Sequence, residues 1–271
     1  QLKDINSEED KKPSASSNED EYVKNLKPYL FDSMDITNGS FKYKDILAKT
    51  QMNKKSLMRL VKEISSIQNS LPLSFSSSVF FRTDTESINA IKFIITGPRD
   101  TPYESGCFEF DAVFKSDYPE GPPTVNLITT GGGTVRFNPN LYNCGKVCLS
   151  LLGTWSGQKG ESWNKDTSTF LQVLISIQSL ILVDDPYFNE PGWERQMGTP
   201  QGDKKTFEYN DNIRLQTLRW AILDKLKNPT VGFEEAIKNH FYYKKDKIIE
   251  TLQKWHSEAL KKSQFEGYMN E

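Results

Sequence analysis

Of 271 residues, only three are cysteine and two are histidine, and that scarcity excludes a good deal. Three cysteines cannot complete a disulfide framework. A zinc site needs three or four ligands at suitable spacing. Cys144 and Cys148 supply half a set, while His240 and His256 lie far downstream in helical sequence. No metal and no cofactor is therefore expected. A thioredoxin-like redox pair needs two residues between its cysteines, and here there are three. A cysteine–histidine hydrolase would have to fold His240 or His256 back against a cysteine, and nothing in the sequence directs that. Net charge is also lacking: at −2 it gives no ground for nucleic acid as a general partner. The best candidate for a membrane span, residues 170–183 ("FLQVLISIQSLILV"), is too short to cross a bilayer and carries Gln172 and Gln178. It reads as a buried helix, so no membrane span is expected. No secretory leader is visible, which points to a reducing compartment, cytoplasmic or nuclear. The chain begins with Gln rather than Met, which implies a piece of something longer.

What is present divides the chain. Residues 1–20 are polar and charged, with almost no large apolar groups; they cannot bury enough surface to offset chain entropy, so a disordered tail is expected. Residues 21–52 mix aromatics with turn residues and form an extension of unassigned role. From Asn53, Leu57, Leu60, Val61, Ile64, Ile67 and Leu71 recur at helical spacing. Lys55, Arg59 and Lys62 fall opposite them, giving an amphipathic helix with a basic outer face, limited by Pro72. Four extended runs follow: "SVFFR", "INAIKFIITG", "CFEFDAVF" and "TVNLITT". Each alternates or is rich in β-branched and aromatic residues, with turn residues at its ends. Short connections predict a four-stranded antiparallel meander. Helical patterns then cover residues 170–183, 207–227 and 233–261. The order of helix, meander, helices makes an α+β domain over residues 53–261, with a tail at 262–271.

On composition, Cys148 reads either as a nucleophile without a histidine or as a buried structural cysteine, and free cysteine is usually the latter. Its neighbours change the weighting. "FNPNLYNCGKVCLSLL" resembles the active-site segment of ubiquitin-conjugating enzymes, in which an Asn closes a His-Pro-Asn tripeptide eight positions before the catalytic Cys. Here Asn138-Pro139-Asn140 fills the tripeptide and Cys148 stands eight residues after Asn140. "TPYESG", the Tyr118-Pro119 turn, Trp163 and "DDPYFNEPG" match further family segments in the right order, over roughly residues 53–227. The details are most similar to a branch of large, atypical members that includes the giant inhibitor-of-apoptosis conjugating enzyme.

The resemblance implies a ubiquitin-conjugating enzyme. Cys148 would accept ubiquitin, or a ubiquitin-like protein, as a thioester from an activating enzyme and pass it to a substrate lysine. It assigns Asn140 either to the oxyanion of the transfer step or to holding its own loop. Glu190, after the Asp185-Pro186 turn, is assigned to orienting the acceptor lysine, and Lys55, Arg59 and Lys62 to meeting the activating enzyme. Thiol-to-thioester exchange is nearly balanced in energy, so no histidine base is required. It does require a sulfur that solvent can reach. Two departures stand out. Glu120 follows Tyr118-Pro119 where many members carry an aromatic, and Ser150 occupies a position that is often acidic. A ligase of non-standard type is the expected partner. A non-catalytic ubiquitin-binding adaptor of the same fold is the alternative function. The Gly-rich "TTGGGT" lacks the Lys-Ser/Thr of a phosphate loop and reads as a turn.

Overall fold

Asn53 starts a helix as its N-cap, its side-chain oxygen accepting from the Ser56 N–H at 2.9 Å and pairing a donor that a helix start leaves open. The structure is a computed structural model that describes residues 15–157 and 160–269. This helix, α3 (Lys54–Gln68), follows α1 (Ala15–Leu26) and α2 (Lys44–Lys49). It turns Leu60, Ile64 and Ile67 into the core, whereas Leu57 and Val61 stay 41% and 44% exposed. The apolar stripe is wider than the face the sheet covers, and these two lie at its edge.

The sheet is mixed and five-stranded, ordered β1 (Phe31–Met34), β2 (Val79–Asp84), β3 (Ala90–Thr96), β4 (Cys107–Val113), β5 (Thr124–Leu127). β2 to β5 form an antiparallel meander. The expectation of four strands is corrected by β1, which runs parallel to β2 with Phe31 opposite Phe81. Its sequence, "FDSM", has no alternation to announce it. Long-range contacts set its place instead. The Phe31 ring stacks on Phe81 with centroids 5.7 Å apart, and the Asp84 carboxylate accepts from the Ile36 and Thr37 N–H groups at 2.7 and 3.1 Å.

Helix reaches into both stretches that were expected to be tails. Residues 1–14 lie outside the described residues, but residues 15–20 are the first half of α1. At the other end α7 (Glu234–Met269) continues through residues expected to form the final tail. Both helices gain from docking on one another, a term absent from local composition. Between them, α4 (Phe170–Ser176) runs on into a π turn, Ile177–Ile181. α5 (Pro200–Gln216) passes through the π segment Thr217–Leu223 into α6 (Asp224–Lys227).

Both faces of the sheet are covered, so every residue of β2, β3 and β4 is buried. One face packs Phe81, Phe93 and Phe110 against α3 and α4. Phe170, the first residue of α4, sets its ring edge-on to Phe81, Phe93 and Phe114 at 6.0, 5.9 and 5.1 Å. Losing such a ring costs about 3–5 kcal/mol. The other face carries Phe80 and Ile94 against Tyr22 of α1 and Phe233, Ile237 and Phe241 near or on α7. It also carries charges, which are buried and therefore paired. Lys92 Nζ reaches Asp111 at 2.6 Å and Glu109 at 3.1 Å, and Lys225 of α6 reaches the second Glu109 oxygen at 2.6 Å. Burial works to raise the Glu109 pKa, but Lys225 and Lys92 together hold it down at about 2.

His240 of α7 is fully buried on the same side, between the Tyr22 hydroxyl at 2.9 Å and the Ser105 carbonyl at 3.0 Å. A carbonyl only accepts, so Nε2 carries the proton, and in the neutral ring Nδ1 accepts from Tyr22. Burial, with Lys244 adding to it, lowers the pKa to about 3 from an ordinary 6.5. The unfolded chain thus binds a proton that the fold refuses. This contribution to stability is full above the unfolded value and is lost as pH falls toward the folded one. From about pH 7 to about pH 5 the loss is about 2 kcal/mol. Thermal unfolding should show Tm falling over that window and a shallower slope in His240→Gln; the same slope in both proteins would reject the assignment.

Candidate active site

The eight-residue spacing between Asn140 and Cys148 is a hairpin. Leu141 bridges Val147, the Tyr142 N–H donates to Lys146 at 3.0 Å, and the Cys148 N–H donates to the Asn140 carbonyl at 2.8 Å. The turn needs Gly145, whose φ of 87° is left-handed and where a Cβ would collide with the Asn126 side chain and the Leu127 carbonyl. Cys144 is exposed near this tip. The hairpin returns Cys148 to lie beside Asn140, so residues distant in sequence become neighbours.

Asn138 anchors the hairpin base. It is fully buried, donates to the Ile181 carbonyl at 2.8 Å and the Tyr103 hydroxyl at 3.0 Å, and accepts from the Asn140 N–H at 2.8 Å. Asn189, beside Glu190, donates to Asn138 at 3.4 Å and to the Leu180 carbonyl at 3.1 Å. The Asp185-Pro186 turn, the end of α4 and the cysteine segment therefore meet on one side chain. Asn140 itself points its amide at the Cys148 carbonyl, 2.9 Å away. In this arrangement it holds the loop, and its second amide hydrogen is directed elsewhere.

Cys148 is only 2% exposed as a residue, a more enclosed setting than the expectation of a solvent-reachable sulfur supposed. Burial pushes its pKa up; Lys146, Arg136 and a hydrogen bond with Tyr142 favour the thiolate, while Cys144 works against it. The resting group is a thiol, and the thiolate must form as a partner arrives. Arg136, to which nothing in the sequence drew attention, connects the residues around it. Its guanidinium lies 4.3 Å from the Tyr142 ring centre, donates to the Pro139 carbonyl at 2.7 Å and pairs with Glu190 at 3.2 Å. Glu190 thus does reach the site, but bound to a cation.

The basic helix face is divided in use. Arg59 pairs with Glu63 at 2.5 Å and donates to the Ser168 carbonyl at 2.9 Å. Glu63 also accepts from Tyr118 and, at 3.0 Å, from the Phe170 N–H. Arg59 therefore joins α3 to α4, and of the three named residues Lys55 and Lys62 stand exposed. Glu120 pairs across loops with Lys165 at 2.9 Å, and Trp163 donates to the Pro119 carbonyl at 2.7 Å. The "TTGGGT" stretch is a turn, with Gly131, Gly132 and Gly133 all left-handed. His240 lies with Tyr22 and Ser105 rather than Cys148, and His256 is exposed on α7. Among the described residues no three His, Cys, Asp or Glu side chains gather as a metal site, and no helix is long and apolar enough to cross a membrane.

A family model described as "Ubiquitin-conjugating enzyme" matches residues 59–217. The chain is 57% identical over 197 residues to the human "Dual E2 ubiquitin-conjugating enzyme/E3 ubiquitin-protein ligase BIRC6", covering 73% of this chain and 4% of that protein. It is 50% identical over 197 residues to a probable ubiquitin-conjugating enzyme of Caenorhabditis elegans, covering 73% of this chain and 27% of that one. A putative ubiquitin-conjugating enzyme of Arabidopsis thaliana is 36% identical over 248 residues, covering 92% of this chain and 73% of the relative. The chain thus spans a small part of BIRC6 and most of the plant protein.

Proposed function

This chain belongs to the ubiquitin-conjugating enzyme family, enzymes of ubiquitin transfer, and from that premise we propose that Cys148 is the sulfur that carries the modifier. The observation that carries the reading is the hairpin that sets the Cys148 backbone against Asn140, at 2.8 and 2.9 Å. In the first step the Cys148 sulfur attacks the thioester carbon of ubiquitin, or a ubiquitin-like protein, on the activating enzyme. A new C–S bond forms, the old one breaks, and the departing sulfur takes up the proton that Cys148 releases. Lys146 and Arg136 ease that release, while burial opposes it. In the second step a neutral substrate amine attacks, the carbonyl oxygen takes negative charge, and the C–S bond breaks to leave an isopeptide, with the proton the amine gives up returning the departing Cys148 sulfur to a thiol. Asn140, which has two amide hydrogens and spends one on its own loop, serves that oxyanion with the other.

One observation favours a second reading, a non-catalytic ubiquitin-binding adaptor: the 2% exposure of Cys148. Incubation with activating enzyme, ATP and ubiquitin, followed by a non-reducing gel, separates the two. A reductant-labile adduct supports the enzyme; its absence supports the adaptor. The same chemistry needs free thiols, which suits a cytosolic or nuclear setting.

Lys55 and Lys62, exposed on α3, are proposed to meet the activating enzyme. Charge reversal at both should slow Cys148 charging about three- to tenfold at low salt, and less as salt rises. Arg59→Glu is a different experiment, since it also breaks the join between α3 and α4. Unchanged charging by the double variant would remove this surface from the function. The Glu120–Lys165 pair replaces an aromatic anchor on the proposed ligase face, so a ligase of non-standard type, or direct choice of substrate by this protein, is the reading there. In the same assay, stimulation of discharge by a generic RING domain would count against it.

A further inference from the structure

The register of the cysteine hairpin sorts its side chains into two sets. Leu141 bridges Val147, and two bonds flank that bridge, Tyr142 N–H to the Lys146 carbonyl at 3.0 Å and Cys148 N–H to the Asn140 carbonyl at 2.8 Å. Asn140 therefore stands opposite Cys148, and Tyr142 stands opposite Lys146. Paired residues share a face of a ladder and successive residues alternate. Leu141 and Val147 accordingly enter the core together, while Asn140, Tyr142, Lys146 and Cys148 take the other face. On that face Tyr142 and Cys148 are diagonal neighbours, a separation that an aromatic side chain spans.

Tyr142 uses that reach. It is half-buried, and its hydroxyl is a hydrogen-bond partner of the Cys148 sulfur. Cations attend its ring, with the Arg136 guanidinium 4.3 Å and Lys146 Nζ 5.8 Å from the ring centre. Arg136 is fixed in turn by the Pro139 carbonyl at 2.7 Å and Glu190 at 3.2 Å. Around the sulfur Lys146 and Arg136 favour negative charge and Cys144 opposes it, while Glu190 and Tyr209 of α5 face Arg136. A neutral thiol gains little from a donor. A thiolate held out of water gains far more, because a hydrogen bond to a charged group is the stronger kind.

We infer that Tyr142 is a further catalytic residue, its hydroxyl donating to the Cys148 sulfur while that sulfur is a thiolate, with Arg136 positioning its ring. This rests on Cys148 as the thioester carrier. Tyr142 keeps its own proton throughout. As the thioester forms, the Cys148 proton ends on the departing sulfur, and the Tyr142 bond lowers the cost of the thiolate that attacks. When the amine later breaks the C–S bond, charge returns to the same sulfur and meets the same donor, until the proton from the amine restores the thiol.

The test uses the full chain carrying Cys144→Ser, alone and with Tyr142→Phe or Arg136→Gln added. Cys148 is reacted with dipyridyl disulfide, whose sulfur the thiolate attacks to form a mixed disulfide and release a pyridinethiolate, from about pH 6 to about pH 10. Cys107 stays silent, since burial pushes its pKa up to about 12. Tyr142→Phe should move the midpoint of the pH profile up by about one unit. At pH 7 the thiolate population then falls about tenfold and the thiolate left is about threefold more nucleophilic, so exchange slows about threefold. Charging by activating enzyme and ATP should slow by a similar factor. Arg136→Gln should move the midpoint the same way by less, and no movement there would take the positioning role from Arg136. A side chain that only packed against the sulfur would change the rate equally at every pH. An unmoved midpoint in Tyr142→Phe therefore overturns the inference. A parent profile that has not begun to level by about pH 10 overturns it too, as does a moved midpoint with unchanged charging. If the parent chain forms no thioester, the reading of Cys148 has failed, and the midpoint still reports separately on the Tyr142 contact.

Discussion

Replacing Cys148 by alanine should abolish the ubiquitin adduct, and replacing it by serine should convert a reductant-labile adduct into one that survives reductant. The expectation follows from bond chemistry. A serine hydroxyl can displace the activating-enzyme thioester slowly, but the resulting oxyester resists amines far better than a thioester does, so the modifier accumulates. Cys144→Ser should charge within about twofold of wild type, since Cys144 is exposed at the hairpin tip. The three variants run side by side on reducing and non-reducing gels, with mass spectrometry locating the adduct. An adduct that persists in Cys148→Ala, or that maps to Cys144, would end the assignment. Cys148 is 2% exposed and burial raises its pKa, so alkylation of the resting protein should be slow there compared with alkylation of the exposed Cys144.

Asn140→Ala should slow discharge to lysine about a hundredfold while charging stays within severalfold of wild type. In the resting structure its amide donates to the Cys148 carbonyl at 2.9 Å, and losing that bond costs about 1 kcal/mol of stability. A structural role alone would therefore appear as a modest drop in Tm with charging and discharge impaired alike. An oxyanion role appears as a large loss in the second step only, because negative charge on the carbonyl builds most when an amine attacks. Single-turnover charging and discharge, measured beside thermal unfolding, separate these. Discharge at the wild-type rate would take Asn140 out of the mechanism.

The hairpin of the candidate site was legible because its information is local. Asn140 and Cys148 are joined by a seven-residue connection with a glycine where the backbone turns left-handed, and short-range patterns of that kind survive in a linear reading. The meander from β2 to β5 was legible for the same reason, with alternating runs and turn residues between them. β1 was not. Its four residues carry no alternation, and they pair with β2 from across some fifty positions. Arg59 was read as part of a uniform basic face, yet Glu63, four residues along, and the Ser168 carbonyl, brought in by the fold, claim its guanidinium. Arg136 gave no sign at all, because it matters through a partner far along the chain, Glu190.

By itself, the sequence determined the family, the position of the proposed nucleophile and the order of the elements around it. These depend on residue type and on spacings that one hairpin or one helix spans. Tertiary structure alone decided the electrostatic state of that site: that burial favours the thiol of Cys148 and that Glu190 is held by a cation. Desolvation and charge pairing depend on what surrounds a group in space, and segments far apart along the chain supply those surroundings only after they fold together.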